Sequence, residues 1–286
     1  MVEPEGLLEA IRERASARPE GRDVYDCLAL EAVASLALRF SVTPRSVSLV
    51  ALENRVVPLR YLKNIGTVGI EGQARLLGSR VVVIGAGGIG GRASELLTRM
   101  GVGMITLVDP DIFDETNLNR QDFSCESAVG RAKVEVVRDR LAEINRDVEV
   151  EALRLTAGPG NLPGLLSGAD VAIDALDNLD DRLALQEACR LQGVAMVHGA
   201  IAGTCLQATT VFPGDRGLEA LHIPGKEGEK ARGIEVETGN PAATPTLAAA
   251  IQVQEALKVI LGTGEALRGK LLYLDLEDWA FEFIEL

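Results

Sequence analysis

Residues 117–121, Asn-Leu-Asn-Arg-Gln, put three side-chain amides and an arginine into five positions just after an apolar stretch, a density of polar groups that folding alone does not demand. Upstream lies a second group, Gly85, Gly87, Gly88 and Gly90 in GAGGIG. Between the apolar run RVVVI and an amphipathic segment, this spacing predicts a strand-to-helix turn. Gly85 permits the tight turn, Gly87 and Gly88 let backbone N–H groups approach a phosphate or ribose, and Gly90 lets the helix pack on the sheet. Asp109 follows about 20 residues later, at the end of a second strand, where a carboxylate accepts hydrogen bonds from ribose hydroxyls. Glycine loop and acid together suit NAD and ATP equally.

Further residues weigh toward ATP. Asp111, Asn117, Arg120 and Gln121 follow the second strand, and Lys133 begins the next helix in AVGRAK. A dinucleotide carries only a pyrophosphate diester, which the helix N-terminus already serves, whereas a triphosphate adds charge and calls for cations. Arg120 and Lys133 supply them. In DALDN, at another strand end, Asp177 is placed to take Mg²⁺, because hard divalent ions on nucleotide phosphates keep one or two carboxylate ligands. Asp174 is a helix cap or a brace for its neighbours, and Asn178 is a further nucleotide-binding candidate or the cap of the helix that begins NLDDR. Arg182, one turn on, faces a phosphate or pairs with Asn178 and the adjacent acids.

These residues need a scaffold that brings strand ends together. From Ser79 onward short β-branched runs alternate with longer amphipathic segments: RVVVIG, MITLVD, DVEVEALRL, DVAIDAL, VAMVHG and CLQATTVFP as strands, with GIGGRASELLTRMG, RAKVEVVRDRLAEIN and NLDDRLALQEACRLQG as helices. The order predicts an α/β fold, a Rossmann-like mostly parallel sheet with helices on both faces and a ligand crevice at the strand C-terminal ends. TPTLAAAIQVQEALKVILG is a further helix with Thr244 as N-cap, Pro245 at its first position and Gly262 just past its end. KLLYLDL and WAFEFIEL close the chain as C-terminal antiparallel strands. Residues 213–243, rich in Gly, Pro and mixed charge, form a mobile surface loop.

Residues 1–59 form a small helical N-terminal extension, and residues 60–286 the nucleotide-binding domain. GLLEAIRERA and YDCLALEAVASLALRF carry apolar residues at helical spacing on either side of SARPEGRD, and Thr43 with Pro44 starts another short helix. The extension holds no evident chemistry and serves packing or dimerisation.

Composition limits the partners. The 286 residues carry a net charge of −13, so the overall field repels polyanions, and aromatics are 3% of the chain, too few for a base-stacking surface. Nucleic-acid binding through stacked bases is therefore disfavoured, and no nucleic acid is expected as a partner. No apolar run reaches the roughly 20 residues of a membrane span, and the acidic N-terminus is unlike a signal peptide. The expectation is a cytoplasmic protein without membrane association. Cys27, Cys125, Cys189 and Cys205 are scattered, with no C-x-x-C pair and 2 histidines in the chain, so no structural zinc is expected.

Taken in order, G-x-G-G-x-G, D-x-D, N-L-N-R-Q, A-V-G-x-x-K and D-x-x-D-N resemble the motifs of the MoeB/ThiF/HesA family, the bacterial relatives of ubiquitin-activating enzymes. The resemblance runs from RYLKN at 60–64 to the C-terminus. It implies a homodimeric adenylyltransferase that uses ATP and Mg²⁺ to activate the C-terminal Gly-Gly carboxylate of a ubiquitin-fold sulfur carrier protein. By the same resemblance, Gly88 and Asp109 contact adenosine and ribose, while Asn117, Arg120 and Gln121 serve the phosphates and nearby polar groups. Lys133 stabilises charge on the α-phosphate, and Asp177 holds the metal.

This chain departs from the family in three ways. Where the family has R-Y-x-R-Q, whose second arginine reaches the partner subunit's ATP site, this chain has Arg60, Tyr61, Leu62, Lys63 and Asn64; Lys63 keeps the charge but not the bidentate fork. The zinc-binding C-x-x-C pairs are absent, so the loop there must be held otherwise, for instance by the final hairpin. No cysteine follows Cys205, itself read as a buried small hydrophobe in a strand, so adenylation without a thioester step on this chain is expected. Three other readings remain open: an NAD-dependent oxidoreductase, for which only His198 stands near the crevice, a non-catalytic nucleotide-binding partner subunit, and an activator of a tRNA-linked or peptide carboxylate.

Overall fold

The computed structural model describes residues 5–221 and 238–286. The chain opens with α1 (Leu7–Arg14), the hairpin strands β1 (Ser16–Glu20) and β2 (Asp23–Leu28), α2 (Leu30–Phe40), α3 (Pro44–Glu53), the short strand β3 (Val57–Pro58) and α4 (Leu62–Gly78). Then β and α alternate: β4 (Arg80–Ile84), α5 (Gly88–Met100), β5 (Met104–Val108), α6 (Lys133–Ile144), β6 (Glu149–Leu153), α7 (Leu162–Leu166), β7 (Val171–Asp174), α8 (Leu179–Gln192) and β8 (Ala195–Ala202). The chain ends with β9 (Cys205–Val211), α9 (Ala243–Leu261), β10 (Lys270–Asp275) and β11 (Ala280–Glu285).

Among the described residues the main sheet runs β11-β10-β9-β8-β7-β4-β5-β6. The five strands from β6 to β8 are parallel and the last three pairings antiparallel, as the sequence predicts. Strand order reverses beside β4, where the chain steps to β5 on one side and β7 on the other, and ligands bind at such a switch point.

The period-two alternation of strands sorts side chains onto two cores. Val81, Val83, Ile105, Leu107, Ile173 and Val197 face α5, α6 and α9. Val82, Ile84, Val108, Ala172 and Met196 face α7 and α8. Asp174 and His198 fall on the parity of the second set, which puts two titratable groups among apolar ones.

The extension has its own core of Leu7, Ile11, Leu28, Leu36 and Val47. It contains a hairpin that helical spacing did not predict: Asp23–Leu28 is a strand paired with β1 rather than the start of a helix, with Val24 and Asp26 outward and Cys27 and Leu28 buried. Thr43 caps α3, accepting from the Ser46 N–H at 3.1 Å, with Pro44 in the first turn. The extension joins the rest of the chain through Cys27, Leu52 and Val57, which pack on Tyr61, Leu62, Ile65 and Leu77. A buried polar knot adds to this contact. The Ser48 and Tyr61 hydroxyls donate to Asp147 Oδ2 at 2.8 and 3.1 Å, and Asn145 Nδ2 donates to the Tyr61 hydroxyl at 2.9 Å.

Three further expectations are corrected. Helix α9 begins two residues earlier, after Ala242, and Thr244 lies inside its first turn, where its hydroxyl donates to the Gly203 carbonyl at 2.9 Å. Gly262 does end that helix, at φ 65°. Cys205 is partly exposed rather than buried, and the Tyr273 hydroxyl donates to its sulfur at 3.0 Å. In the 213–243 loop, residues 222–237 lie outside the described residues. Its first part is ordered: Gly217–Leu221 forms a 3₁₀ turn with Leu218 buried, and Arg268, just before β10, holds Asp215 at 2.7 Å.

Candidate nucleotide site

The glycine loop after β4 is shaped by two glycines that cannot be replaced without movement. Gly85 has φ +101°, and a Cβ there would lie 2.5 Å from the Ala175 carbonyl oxygen at the end of β7. A Cβ on Gly90 would lie 1.9 Å from the Gly85 carbonyl oxygen. These two set the turn and seat α5 on the sheet, as the spacing predicts. Asp109, buried at the end of β5, accepts from the Ala86 N–H at 2.7 Å and the Asp111 N–H at 2.8 Å. Its carboxylate therefore braces the glycine loop, and any ribose contact uses its remaining lone pairs.

The NLNRQ segment lies directly against this loop. The Arg120 carbonyl oxygen would be 3.1 Å from a Cβ on Gly88, and Gln121 Nε2 3.7 Å from one on Gly87. The five residues nevertheless divide their labour. Asn117 is buried and its Oδ1 accepts from the Asp114 N–H at 3.0 Å, closing a capping box on the 3₁₀ turn Glu115–Asn117. That side chain shapes the segment rather than facing a ligand. Asn119 Nδ2 donates to the Asn240 carbonyl at 3.0 Å.

Arg120 and Gln121 are the members with unused chemistry. Arg120 donates to the Thr116 carbonyl and to Asn119 Oδ1, at 2.9 and 2.8 Å, and has no carboxylate partner among the described residues. Gln121 is 7% exposed and its buried Oε1 has no hydrogen-bond partner, beside the glycine loop. An orphaned buried amide is costly unless something else satisfies it. Lys133, the first residue of α6, is buried as well, and its Nζ donates to Asp111 Oδ2 at 3.0 Å while Asp111 stays exposed.

The opposite wall is the turn after β7. Asp177 is exposed, and its Oδ1 takes one long bond, 3.3 Å, from Asn178 Nδ2. Asn178 caps α8, accepting from the Asp181 N–H at 2.9 Å, so its role in the turn is structural. The Arg182 side chain turns to the backbone rather than to Asn178: its Nε and Nη2 donate to the Leu176 carbonyl at 3.2 and 2.5 Å, and Nε stands 3.9 Å from Asp174 Oδ2. Lys63 lies in α4, strongly exposed, and holds Glu20 of the extension at 2.6 Å. In this chain it is thus engaged by the β1–β2 hairpin.

The donor set suits a nucleotide triphosphate. Glycine-loop amides, an arginine without an acid, an unsatisfied buried amide and a buried lysine stand on the segments after β4 and β5 and at the start of α6. Asp177 is a candidate ligand for a phosphate-bound divalent ion, with Asp181 close by on the same Asn178 Nδ2, and no group of three metal-binding side chains occurs among the described residues. His198, the one histidine among the described residues, is 1% exposed and bonded to Asp174, so it is not available as a hydride-transfer acid. The part that sequence reasoning missed is this Asp174–His198 pair, whose signal was two polar residues of matching strand parity at neighbouring strand ends.

The glycine loop at the switch point of a mostly parallel sheet makes this a nucleotide-binding type of α/β fold. The chain belongs to the ThiF family, whose model matches residues 61–286. Among curated relatives it is 39% identical over 227 residues to the "SAMP-activating enzyme E1" of Haloferax volcanii, covering 79% of this chain and 84% of that protein. It is 34% identical to "Protein HesA, vegetative" of Trichormus variabilis, over 78% of this chain and 83% of the relative. It is 33% identical to the probable adenylyltransferase/sulfurtransferase MoeZ of Mycobacterium tuberculosis, of which it spans 59%. In fold it resembles E. coli MccB, including the structure with ATP, at TM-score 0.67 and 20% identity over 88% of this chain and 82% of that one.

Proposed function

We propose that the protein is an ATP-dependent adenylyltransferase that activates the C-terminal Gly-Gly carboxylate of a ubiquitin-fold sulfur carrier protein. The observation that carries this reading is Arg120, a cation with no carboxylate partner among the described residues, in the segment whose Gln121 side chain lies against the glycine loop. The family and the name of the Haloferax volcanii relative support the activity and the kind of substrate.

In the reaction a carboxylate oxygen of the carrier attacks the α-phosphorus of ATP. A C–O–P bond forms, the bond from the α-phosphorus to the bridging oxygen breaks, and pyrophosphate leaves with its electron pair. No proton transfer and no protein nucleophile are needed, so the protein contributes alignment and charge. The glycine-loop amides and the N-terminus of α5 hold phosphate oxygens. Arg120 and Lys133 offset the negative charge that shifts onto the leaving pyrophosphate, with Lys133 exchanging part of its contact with Asp111. Asp109 and Gln121 Oε1 accept from ribose hydroxyls. Asp177 would hold Mg²⁺, which when bound neutralises charge on the phosphates.

In this reading the protein works in the cytoplasm as a homodimer, and Lys63 leaves Glu20 to reach the partner's site. Among the described residues no helix is long and apolar enough to cross a membrane. The test is ATP–pyrophosphate exchange with and without candidate Gly-Gly carriers. Carrier-dependent exchange that falls in Asp177→Ala is the expected outcome; exchange absent with every carrier refutes the reading.

A further inference from the structure

Beneath the turn that carries Asp177 lies a pair of buried titratable groups that the adenylation chemistry does not touch. Asp174 is 0% and His198 1% exposed, and His198 Nδ1 lies 2.6 Å from Asp174 Oδ2. The other carboxylate oxygen, Oδ1, accepts from the Leu176 N–H at 3.0 Å. Gln252 Nε2, reaching from α9 on the opposite face, donates to the Asp174 carbonyl at 2.7 Å and to the Val197 carbonyl at 3.0 Å. Arg182 clamps the Leu176 carbonyl from α8 and stands 3.9 Å from Asp174 Oδ2.

An unpaired carboxylate in this setting would be strongly unfavourable, and an apolar residue of the same size would pack against α8 without partners. The carboxylate does what an apolar side chain cannot: it fixes the Leu176 amide, one residue before Asp177. The same turn also abuts the glycine loop, because the Ala175 carbonyl occupies the space that a Cβ on Gly85 would need. A shift of 174–176 therefore displaces both walls of the site together.

The tautomer of His198 follows from its surroundings. Nε2 is buried with no partner, so the proton belongs on Nδ1, where it donates to Asp174. The charged and titratable groups that face the ring are Asp174 from β7 and Arg182 from α8, with the buried Cys189 on the same side of Asp174. Burial holds the imidazole below its usual range and pushes the Cys189 thiol up to about 12, so both stay neutral.

We propose that Asp174, oriented by His198, is a positioning residue for the nucleotide site: the pair sets the 174–178 turn so that Asp177 faces the phosphates and the glycine loop keeps its approach to them. The role of the turn rests on the ATP-binding part of the proposed function and not on transfer to a carrier, and the position of the pair rests on neither.

The experiment compares His198→Asn, which keeps an N–H near the Nδ1 position, with His198→Leu, which keeps bulk and removes the donor. Calorimetry measures ATP binding with and without Mg²⁺, and exchange kinetics give KM and kcat separately. The imidazole ¹⁵N spectrum, simple in a chain with 2 histidines, reads the tautomer. The expected result is an Nδ1–H signal in the native protein and, in His198→Leu, a loss of Mg²⁺-dependent affinity of about tenfold or more with metal-free ATP affinity little changed. His198→Asn should recover most of that loss. An Nε2–H tautomer, an unchanged Mg²⁺ dependence in His198→Leu, or equal losses in both variants and both binding modes would overturn the proposal. Native protein that binds MgATP but shows no exchange would instead refute adenylation and leave the positioning role standing.

Discussion

Replacing Gln121 by leucine should separate stability from nucleotide binding, and in opposite directions. The side chain is 7% exposed and its Oε1 has no partner, so the free protein carries an unsatisfied buried acceptor. Such a group costs about 1–3 kcal/mol, and an apolar isostere removes that cost. Taking about 1 kcal/mol as recovered, and an unfolding entropy of about 2 cal/mol/K per residue, a chain of 286 residues gains about 2 °C in Tm. The same change removes the acceptor for a ribose hydroxyl and the donor beside Gly87. Loss of a buried polar contact of this kind costs about 1.5–3 kcal/mol, roughly 10- to 150-fold in ATP affinity. Differential scanning calorimetry and ATP titration on the same preparation check both halves. A variant that loses Tm, or that binds ATP within about twofold of the native protein, would refute the assignment of Gln121 to the nucleotide.

The remaining predictions use other residues of the site. Arg120→Ala should lower exchange by about 10²-fold or more while unfolding free energy changes by less than about 0.5 kcal/mol, because the side chain is only partly buried and donates to one carbonyl and one amide; a stability loss without an activity loss would contradict this. Gly90→Ala should destabilise by about 3 kcal/mol in denaturant titration, since its Cβ would sit 1.9 Å from the Gly85 carbonyl oxygen. Lys133→Met should retain the fold by circular dichroism and lose exchange about 10²-fold or more. His198 has its folded pKa lowered from the usual 6.5 by burial, so the unfolded chain binds more protons below that pH. Stability is full above about 6.5 and falls as pH drops toward the folded pKa, by at most about 1.4 kcal/mol per pH unit, a component that His198→Asn should lack.

How much of this molecule could be read from the chain depends on whether a feature is local. The parallel sheet followed from β-branched runs alternating with amphipathic segments, and the glycine loop from four glycines between a strand and a helix. The residue types of the site were legible for the same reason. Their division of labour was legible only for Asn178, whose cap the sequence offers; Asn117 turned to capping and Asp109 to bracing Ala86, because short polar side chains near chain turns find backbone partners first. The β1–β2 hairpin was hidden by a tertiary effect, in which Cys27 and Leu28 gain burial against β3 and the extension core that outweighs the helical spacing of YDCLAL. The Asp174–His198 pair was invisible because neither strand alone shows that the two residues are neighbours; register places Asp174 opposite His198.

Intact-mass spectrometry of a Gly-Gly carrier incubated with this protein, ATP and Mg²⁺, with pyrophosphatase present to pull the reaction forward, tests the central claim most directly. The account predicts a carrier gaining one adenylyl group at its C-terminal carboxylate, with two phosphates formed per adduct from the released pyrophosphate and the adduct lost in Arg120→Ala. A carrier of unchanged mass while ATP is converted to ADP and phosphate, or a protein that binds NADH and not ATP, would contradict it.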